Sequence, residues 1–242
     1  MVDNLLHIQS LNAGYGSVQV LYDMNLDCST GEAVAVVGPN GSGKTTLMNA
    51  VFHLADIFSG EIIFDGNSLA EVSSHRIVAT GLGYLRQEGK VFASMSVEEN
   101  LKMGAMRLKK YQVNQRIEEV LSLLPGARRF LPRKAGTLSG GERQLVALTV
   151  TLMCSPKLVL LDEPTSGLAP LAAKAILESI DTLRNEGLSL IIVEQNLTDV
   201  LQFSNTVYLI VSGQNEFTGS PNDLLERPDL TQLYLGASGK TV

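Results

Sequence analysis

A glycine-rich loop directly after a short apolar run constrains this chain more than any other feature. Residues 33–37 are small and apolar throughout, as in a strand buried on both faces, and helical character begins at Lys44. The loop between them fits the pattern Gly-x4-Gly-Lys-Thr, in which backbone N–H groups and a helix N-terminus bind phosphate. The residues predicted to hold phosphate are Gly38, Pro39, Asn40, Gly41, Ser42, Gly43, Lys44, Thr45 and Thr46.

Two side chains of this loop have distinct predicted roles. Lys44 would reach the β- and γ-phosphates of a nucleotide, and the hydroxyl of Thr45 would ligate Mg²⁺. The chain is therefore predicted to bind a nucleoside triphosphate together with Mg²⁺. The loop by itself leaves kinases, GTPases and motor ATPases open.

A second apolar run ends in two carboxylates. Leu158–Leu161 is followed directly by Asp162 and Glu163. Open α/β sheets bind ligands at the carboxyl ends of their strands, so both acids are predicted to lie beside the phosphate loop. Asp162 suits Mg²⁺, directly or through water, and Glu163 suits polarising the attacking water. A turn that merely ends a strand is the structural alternative, and the phosphate loop makes it the less favoured one.

Strands alternate with helices along the chain. The buried-strand pattern returns at Leu188–Val193 and Val207–Val211, with helical stretches between such runs. This alternation predicts an α/β fold with a mostly parallel sheet, preceded by an N-terminal antiparallel β subdomain. Residues of about 88–155 are helix-dominated and predict an inserted helical lobe. We expect residues 1–242 to form a single domain.

Composition excludes several other classes. The 242 residues carry 19 Lys and Arg against 25 Asp and Glu, a net charge of −6, and no dense basic block, so nucleic acid is not an expected partner. Cys28 and Cys154 are too few for a disulfide scaffold or a zinc site. The longest uncharged apolar stretch, Leu145–Cys154, is far too short to span a membrane. We therefore expect no membrane-spanning segment and no secretory signal.

The motif Leu138-Ser139-Gly140-Gly141-Glu142 lies between the phosphate loop and the two carboxylates. Ser139 and Glu142 have the spacing of a capping box, which predicts that Ser139 begins a helix whose N-terminus can receive an anion. Together with the flanking motifs, in the same order, this motif resembles the signature of ATP-binding-cassette (ABC) ATPases. The resemblance covers nearly the whole chain. It implies a P-loop NTPase (RecA-like) core that binds ATP and Mg²⁺.

The resemblance also implies how the signature is used. In this family two cassettes pair head to tail, and each ATP lies between the phosphate loop of one cassette and the signature of the other. Ser139, Gly140, Gly141 and Glu142 would then contact the nucleotide bound by a partner. Whether that partner is a like or an unlike cassette stays open.

Three further residues take their roles only from the resemblance. Tyr15 matches the aromatic residue that stacks on adenine, and Gln87 matches the glutamine that touches Mg²⁺ and the attacking water and senses the membrane domains. Gln195 stands where most cassettes place a histidine that contacts the γ-phosphate. The resemblance thus implies catalytic roles for Glu163, Lys44, Gln87 and Gln195, and metal contacts for Thr45, Gln87 and Asp162.

Four local segments are similar to one subgroup of the family, the smaller ATP-binding subunit of importers for branched-chain amino acids and of their urea and amide relatives. These segments are Ser96–Leu101, Gly167–Pro170, Val193–Asn196 and Leu233–Gly236. The resemblance implies transmembrane permease partners, an extracytoplasmic solute-binding protein acting indirectly, and a peripheral location on the cytoplasmic face of the inner membrane. The alternative is a soluble cassette ATPase that acts as a switch in DNA maintenance or translation. A kinase or GTPase has no use for the signature motif.

Overall fold

The computed structural model describes residues 4–87, 91–194 and 200–230, and the chain divides into two compact units. Unit 1 is the described part of Met1–Ile77 and Ser189–Val242, and unit 2 is Val78–Leu188. The helix-dominated stretch 88–155 lies within unit 2.

Unit 1 contains a four-stranded antiparallel sheet in the order β2-β1-β4-β5. Its strands are β1 (Asn4–Tyr15), β2 (Val18–Ser29), β4 (Asp56–Phe64) and β5 (Asn67–Ser68). Buried and exposed residues alternate along much of β2, which buries one face and leaves the other in solvent. This sheet is the antiparallel subdomain that the sequence predicts.

Unit 1 also contains four strands in the order β10-β9-β3-β8. They are β3 (Ala33–Val37), β8 (Ser189–Val193), β9 (Thr206–Val211) and β10 (Gln214–Gly219). β3 pairs in parallel with both β8 and β9, and all residues of β3 and β8 are buried, so these strands form the core of the unit. The helices of the unit are α1 (Lys44–Val51), α2 (Ser74–Ile77) and α7 (Pro221–Leu225).

Unit 2 combines a parallel strand pair with four helices. The strands are β6 (Leu82–Leu85) and β7 (Leu158–Asp162), and the helices are α3 (Val97–Gly104), α4 (Lys110–Leu123), α5 (Gly140–Leu152) and α6 (Pro170–Asn185). An apolar cluster of Val97, Phe130, Leu138 and Val146 joins α3, α5 and the segment between α4 and α5. No helix of the described residues is long and apolar enough to cross a bilayer.

Among the described residues, three helices begin with a serine capping box. Ser96, Ser139 and Ser220 each accept a hydrogen bond from the N–H group three residues on, and each donates its own N–H to the acidic side chain at that position. The acidic partners are Glu99, Glu142 and Asp223. Hydrogen bonds from the serine lower the pKa of all three carboxyl groups, because these bonds favour the charged form.

The α/β prediction is confirmed. β10 follows β9 as an antiparallel strand that the sequence analysis did not predict. The first six residues of β4 are exposed, and pairing with β1 rather than burial holds them as a strand.

Candidate functional site

The phosphate loop of unit 1 joins β3 to α1, as the motif predicts. Gly38 has a φ of 152°, and a Cβ there would lie 2.1 Å from the carbonyl oxygen of Ile210 on β9. The backbone therefore passes β9 at a distance that no side chain permits. The loop is wedged against the parallel strands, which holds its N–H groups in a fixed arrangement.

Lys44, the first residue of α1, is 5% exposed and extends back along the loop. Its Nζ donates hydrogen bonds to the carbonyl oxygens of Gly38 and Pro39, at 2.8 and 2.9 Å. The ammonium group is thus held over the loop in which phosphate is predicted to lie. Thr45 is exposed beside it, so its hydroxyl can reach a ligand.

Two observations fit this loop to a polyanionic ligand. The Oγ of Ser42 is buried and makes no hydrogen bond to any described residue, which leaves a polar atom in the loop without a partner. The N-terminus of α1 follows Gly43, has no side-chain cap and has no acidic residue in its first turn. A helix N-terminus of this kind carries free N–H groups and a partial positive charge, which suit phosphate.

Tyr15, the predicted adenine contact, ends β1 and exposes 44% of its surface. Its hydroxyl accepts a 2.8 Å hydrogen bond from Nδ2 of Asn49, on the helix that begins at the phosphate loop. An exposed aromatic ring whose far end is fixed suits stacking on a flat ligand. Tyr15 therefore stays the predicted base contact.

In unit 2 the parallel strands β6 and β7 position the acidic pair and Gln87. Leu85 of β6 pairs with Leu161 of β7. Gln87 and Glu163 each lie two residues beyond this pair, so they leave the sheet at the same edge. Nε2 of Gln87 donates a 2.9 Å hydrogen bond to Oε2 of Glu163, which joins the predicted catalytic carboxylate to the predicted sensor.

Both carboxylates are buried. Asp162 is 1% exposed and accepts a 3.3 Å hydrogen bond from the hydroxyl of Tyr84 on β6. Glu163 is 9% exposed. The described residues contain no group of three or more His, Cys, Asp or Glu side chains arranged to hold a metal ion. Mg²⁺ commonly binds to one or two protein oxygens together with substrate phosphates. The carboxylate of Asp162 in unit 2 and the hydroxyl of Thr45 in unit 1 are each an oxygen ligand of this kind.

The backbone of Glu163 is strained. Its φ is 46°, in the left-handed region that L-residues other than glycine, asparagine and aspartate rarely adopt. This conformation costs about 1–2 kcal/mol. Its carbonyl oxygen accepts a hydrogen bond from the N–H of Ser166, which closes the turn after β7. Strain of this kind concentrates at functional positions, where it aims a side chain.

The signature motif opens α5, with Ser139 as its N-cap as predicted. The capping box satisfies the N–H groups of Ser139 and Glu142, and the first-turn N–H groups of Gly140 and Gly141 have no partner within the helix. Oε1 of Glu142 also lies 3.5 Å from Nη1 of Arg133, which makes a long ion pair. This helix start therefore suits an anion, although the negative Glu142 occupies part of it.

Gly141 has a packing role that the sequence analysis missed. A Cβ on Gly141 would lie 2.7 Å from the Cβ of Ala172 on α6. The first turn of α5 thus approaches α6 at a distance that requires glycine. The start of the signature helix is fixed against the helix that follows the acidic pair.

The structure brings some predicted residues together and does not address others. Gln87 joins Glu163, whereas Gln195 lies outside the described residues. Tyr84 and Asn49 were not predicted, and no sequence signal marks them beyond a polar side chain near a motif.

Comparison with known proteins identifies relatives along nearly the whole chain. The family described as "ABC transporter" matches residues 21–166. The probable branched-chain amino acid transport ATP-binding protein LivF of Archaeoglobus fulgidus is 41% identical, over 96% of this chain and 99% of its own length. The high-affinity branched-chain amino acid transport ATP-binding protein BraG of Pseudomonas aeruginosa is 34% identical, over 96% of this chain and 100% of its own length. The lipopolysaccharide export system ATP-binding protein LptB of Haemophilus influenzae is 32% identical, over 98% of this chain and 99% of its own length.

Solved structures agree on the fold. An ATP-binding cassette of an ABC transporter, in its ADP conformation, superimposes with a TM-score of 0.85 at 25% identity and covers 95% of this chain and 97% of its own. A nucleotide-free ATP-binding cassette from an ABC transporter gives the same TM-score at 24% identity. The predictions of a P-loop core and of ATPase activity are therefore confirmed. The chain belongs to the ABC transporter family and is an ATPase of that family.

Proposed function

We propose that this chain is the ATPase subunit of an importer for branched-chain amino acids. The proposal rests on the similarity to LivF, which is 41% identical over almost the full length of both chains. LptB of Haemophilus influenzae is less similar, with 32% identity. The subunit would act at the cytoplasmic face of the inner membrane, bound to permease subunits and served indirectly by an extracytoplasmic solute-binding protein.

Residues of each unit have proposed roles in ATP binding and hydrolysis. The phosphate loop and Lys44 would bind the phosphates, and Tyr15 would stack on the base. Asp162 and Thr45 would hold Mg²⁺, which neutralises charge on the β- and γ-phosphate oxygens when bound. Glu163 would accept a proton from the attacking water, which its buried carboxylate can do because its negative charge makes it a base.

The hydrogen bond between Gln87 and Glu163 gives Gln87 a proposed role in timing. While its amide donates to Oε2 of Glu163, one lone pair of that carboxylate is engaged. A turn of the amide away from Glu163 would make this position available to the attacking water and would favour hydrolysis. A membrane partner that moves the segment following Gln87 would couple transport to this step.

A second cassette, like or unlike this chain, would complete the site. The N–H groups of Gly140 and Gly141, with Ser139, would bind the γ-phosphate held by the partner. ATP would then lie between two chains, bind both and favour the closed pair. Hydrolysis would remove the γ-phosphate contacts and reopen it. The matched serine caps of this chain offer a direct test of that role.

Ser139→Ala is expected to lower ATP turnover strongly, and Ser220→Ala is expected to leave it unchanged. Both substitutions remove a serine N-cap and are expected to cost about 1 kcal/mol of stability. Only Ser139 is proposed to contact nucleotide. Thermal unfolding and ATP turnover should be measured for both variants in the assembled complex. Equal turnover at matched stability would show that Ser139 acts only as a helix cap.

The transported solute needs its own test. Deleting the gene in the source cell is expected to abolish uptake of labelled leucine, isoleucine and valine at low external concentration. Wild-type chain should restore uptake, and Glu163→Gln should not. Unchanged uptake in the deletion strain, together with a defect in lipopolysaccharide export, would favour the role that LptB carries. Unchanged uptake without a defect in lipopolysaccharide export would contradict an importer of these solutes.

A further inference from the structure

The hydroxyl of Tyr15 is tied to the helix that carries the phosphate loop. Nδ2 of Asn49 donates to it at 2.8 Å, and Asn49 is buried, with 8% of its surface exposed. Tyr15 is 44% exposed. The hydroxyl end of the side chain is therefore held while much of the residue stays accessible.

A second set of contacts fixes the backbone on which the ring stands. The N–H of Gly16, the residue after Tyr15, donates a 2.7 Å hydrogen bond to Oδ2 of Asp56 at the start of β4. Gly14, the residue before Tyr15, pairs with Asp56 in the sheet. The chain on both sides of Tyr15 is thus anchored to one residue. This leaves side-chain rotation as the main freedom of Tyr15, and the bond to Asn49 removes it.

Asn49 also links Tyr15 to the phosphate loop through a rigid element. It lies five residues after Lys44 on α1, which corresponds to a rise of about 7.5 Å along the helix axis. The predicted base contact, Tyr15, and the predicted phosphate contact, Lys44, are therefore both held by one short helix, α1. Any shift of the ring relative to the phosphate loop would break the hydrogen bond.

We propose that Asn49 is a positioning residue for nucleotide binding: it holds Tyr15 in the orientation that accepts the base, without touching the nucleotide. The inference rests on the proposed role of Tyr15 as the base contact. A ring that is already ordered loses no rotational freedom when the nucleotide binds. Without Asn49, ATP must order the ring itself.

Asn49→Leu is expected to weaken ATP binding by about two- to tenfold, the cost of immobilising one side chain. Leucine has similar size and cannot donate to the hydroxyl. Tyr15→Phe, which removes the hydroxyl and keeps the ring, is expected to weaken ATP binding by the same factor. The double variant should be no weaker than either single variant, because both remove one contact. Affinity is measured by calorimetric titration of the full chain.

Inorganic tripolyphosphate is the control ligand, since it has phosphates and no base. Its affinity should be the same for wild type, Asn49→Leu and Tyr15→Phe. If Asn49→Leu weakens ATP and tripolyphosphate equally, Asn49 supports the phosphate loop and the inference is overturned. Additive effects in the double variant would overturn it too. If Asn49→Leu does not fold, Tyr15→Phe decides: unchanged ATP affinity overturns the inference, and selective weakening supports it.

Tyr15→Ala separates this inference from the proposal on which it rests. If Tyr15→Ala leaves ATP affinity unchanged, the base contact itself is wrong, and the role of Asn49 falls with it. If Tyr15→Ala weakens ATP but not tripolyphosphate, while Asn49→Leu leaves both unchanged, the base contact stands and only the positioning role fails.

Discussion

Replacing Glu163 by glutamine is expected to lower ATP turnover by about 10²–10⁴-fold while ATP still binds. Glutamine keeps the size of the side chain and its hydrogen bond to Gln87, but it cannot accept a proton from water. Glu163 is 9% exposed, and its left-handed backbone fixes the direction of its side chain. A carboxylate of the solvent therefore cannot take its place. ATP affinity and steady-state turnover should be measured in the assembled complex.

Glu178→Gln is the matched control for this prediction. Glu178 lies on α6, and 67% of its side chain is exposed. The same chemical change there should leave turnover within about twofold of the wild type, as expected for a surface substitution. Turnover of Glu163→Gln equal to that of the control would exclude Glu163 as the general base. Loss of ATP binding in Glu163→Gln would mean that the residue acts on affinity and not on chemistry.

Lys44→Ala is expected to weaken ATP binding by about 100-fold or more. A charge-assisted hydrogen bond contributes about 1.5–3 kcal/mol, and the ammonium group can reach oxygens of two phosphates. The same substitution removes the two hydrogen bonds from Nζ to the carbonyl oxygens of Gly38 and Pro39, so the loop also loses these internal contacts. Calorimetric titration with ATP and with tripolyphosphate measures the loss.

Lys174→Ala provides the comparison, because 75% of the Lys174 side chain is exposed on α6. It removes the same charge and should leave affinity for both ligands unchanged. Thermal unfolding of both variants shows whether the loop has kept its fold. Undiminished affinity in a folded Lys44→Ala chain would rule out the phosphate contact.

The fold could be predicted where apolar residues are continuous. β3 is apolar throughout, β7 is apolar up to its last residue, Asp162, and both strands are buried along their whole length. β10 escaped prediction because exposed and half-buried positions alternate along it, and its pairing with β9 decides its conformation. The residue pattern of β10 alone does not indicate that pairing.

The candidate site shows the same division. The phosphate loop, the acidic pair and the serine cap of α5 are local patterns, so sequence was enough to predict them. The contact of Gln87 with Glu163 joins residues 76 positions apart, and it depends on the register of β6 against β7. The bond between Asn49 and Tyr15 spans 34 positions and depends on how α1 packs. Neither register nor packing angle could be derived from spacing.

The left-handed backbone at Glu163 has a consequence for protein engineering. Glycine adopts this conformation without the penalty of about 1–2 kcal/mol that glutamate carries there. A laboratory selection for heat resistance alone would therefore favour glycine at position 163 and discard the proposed general base. Engineering this cassette for thermal stability should therefore keep Glu163 and introduce substitutions at surface helix caps and loops. At position 163, stability and catalysis favour different residues.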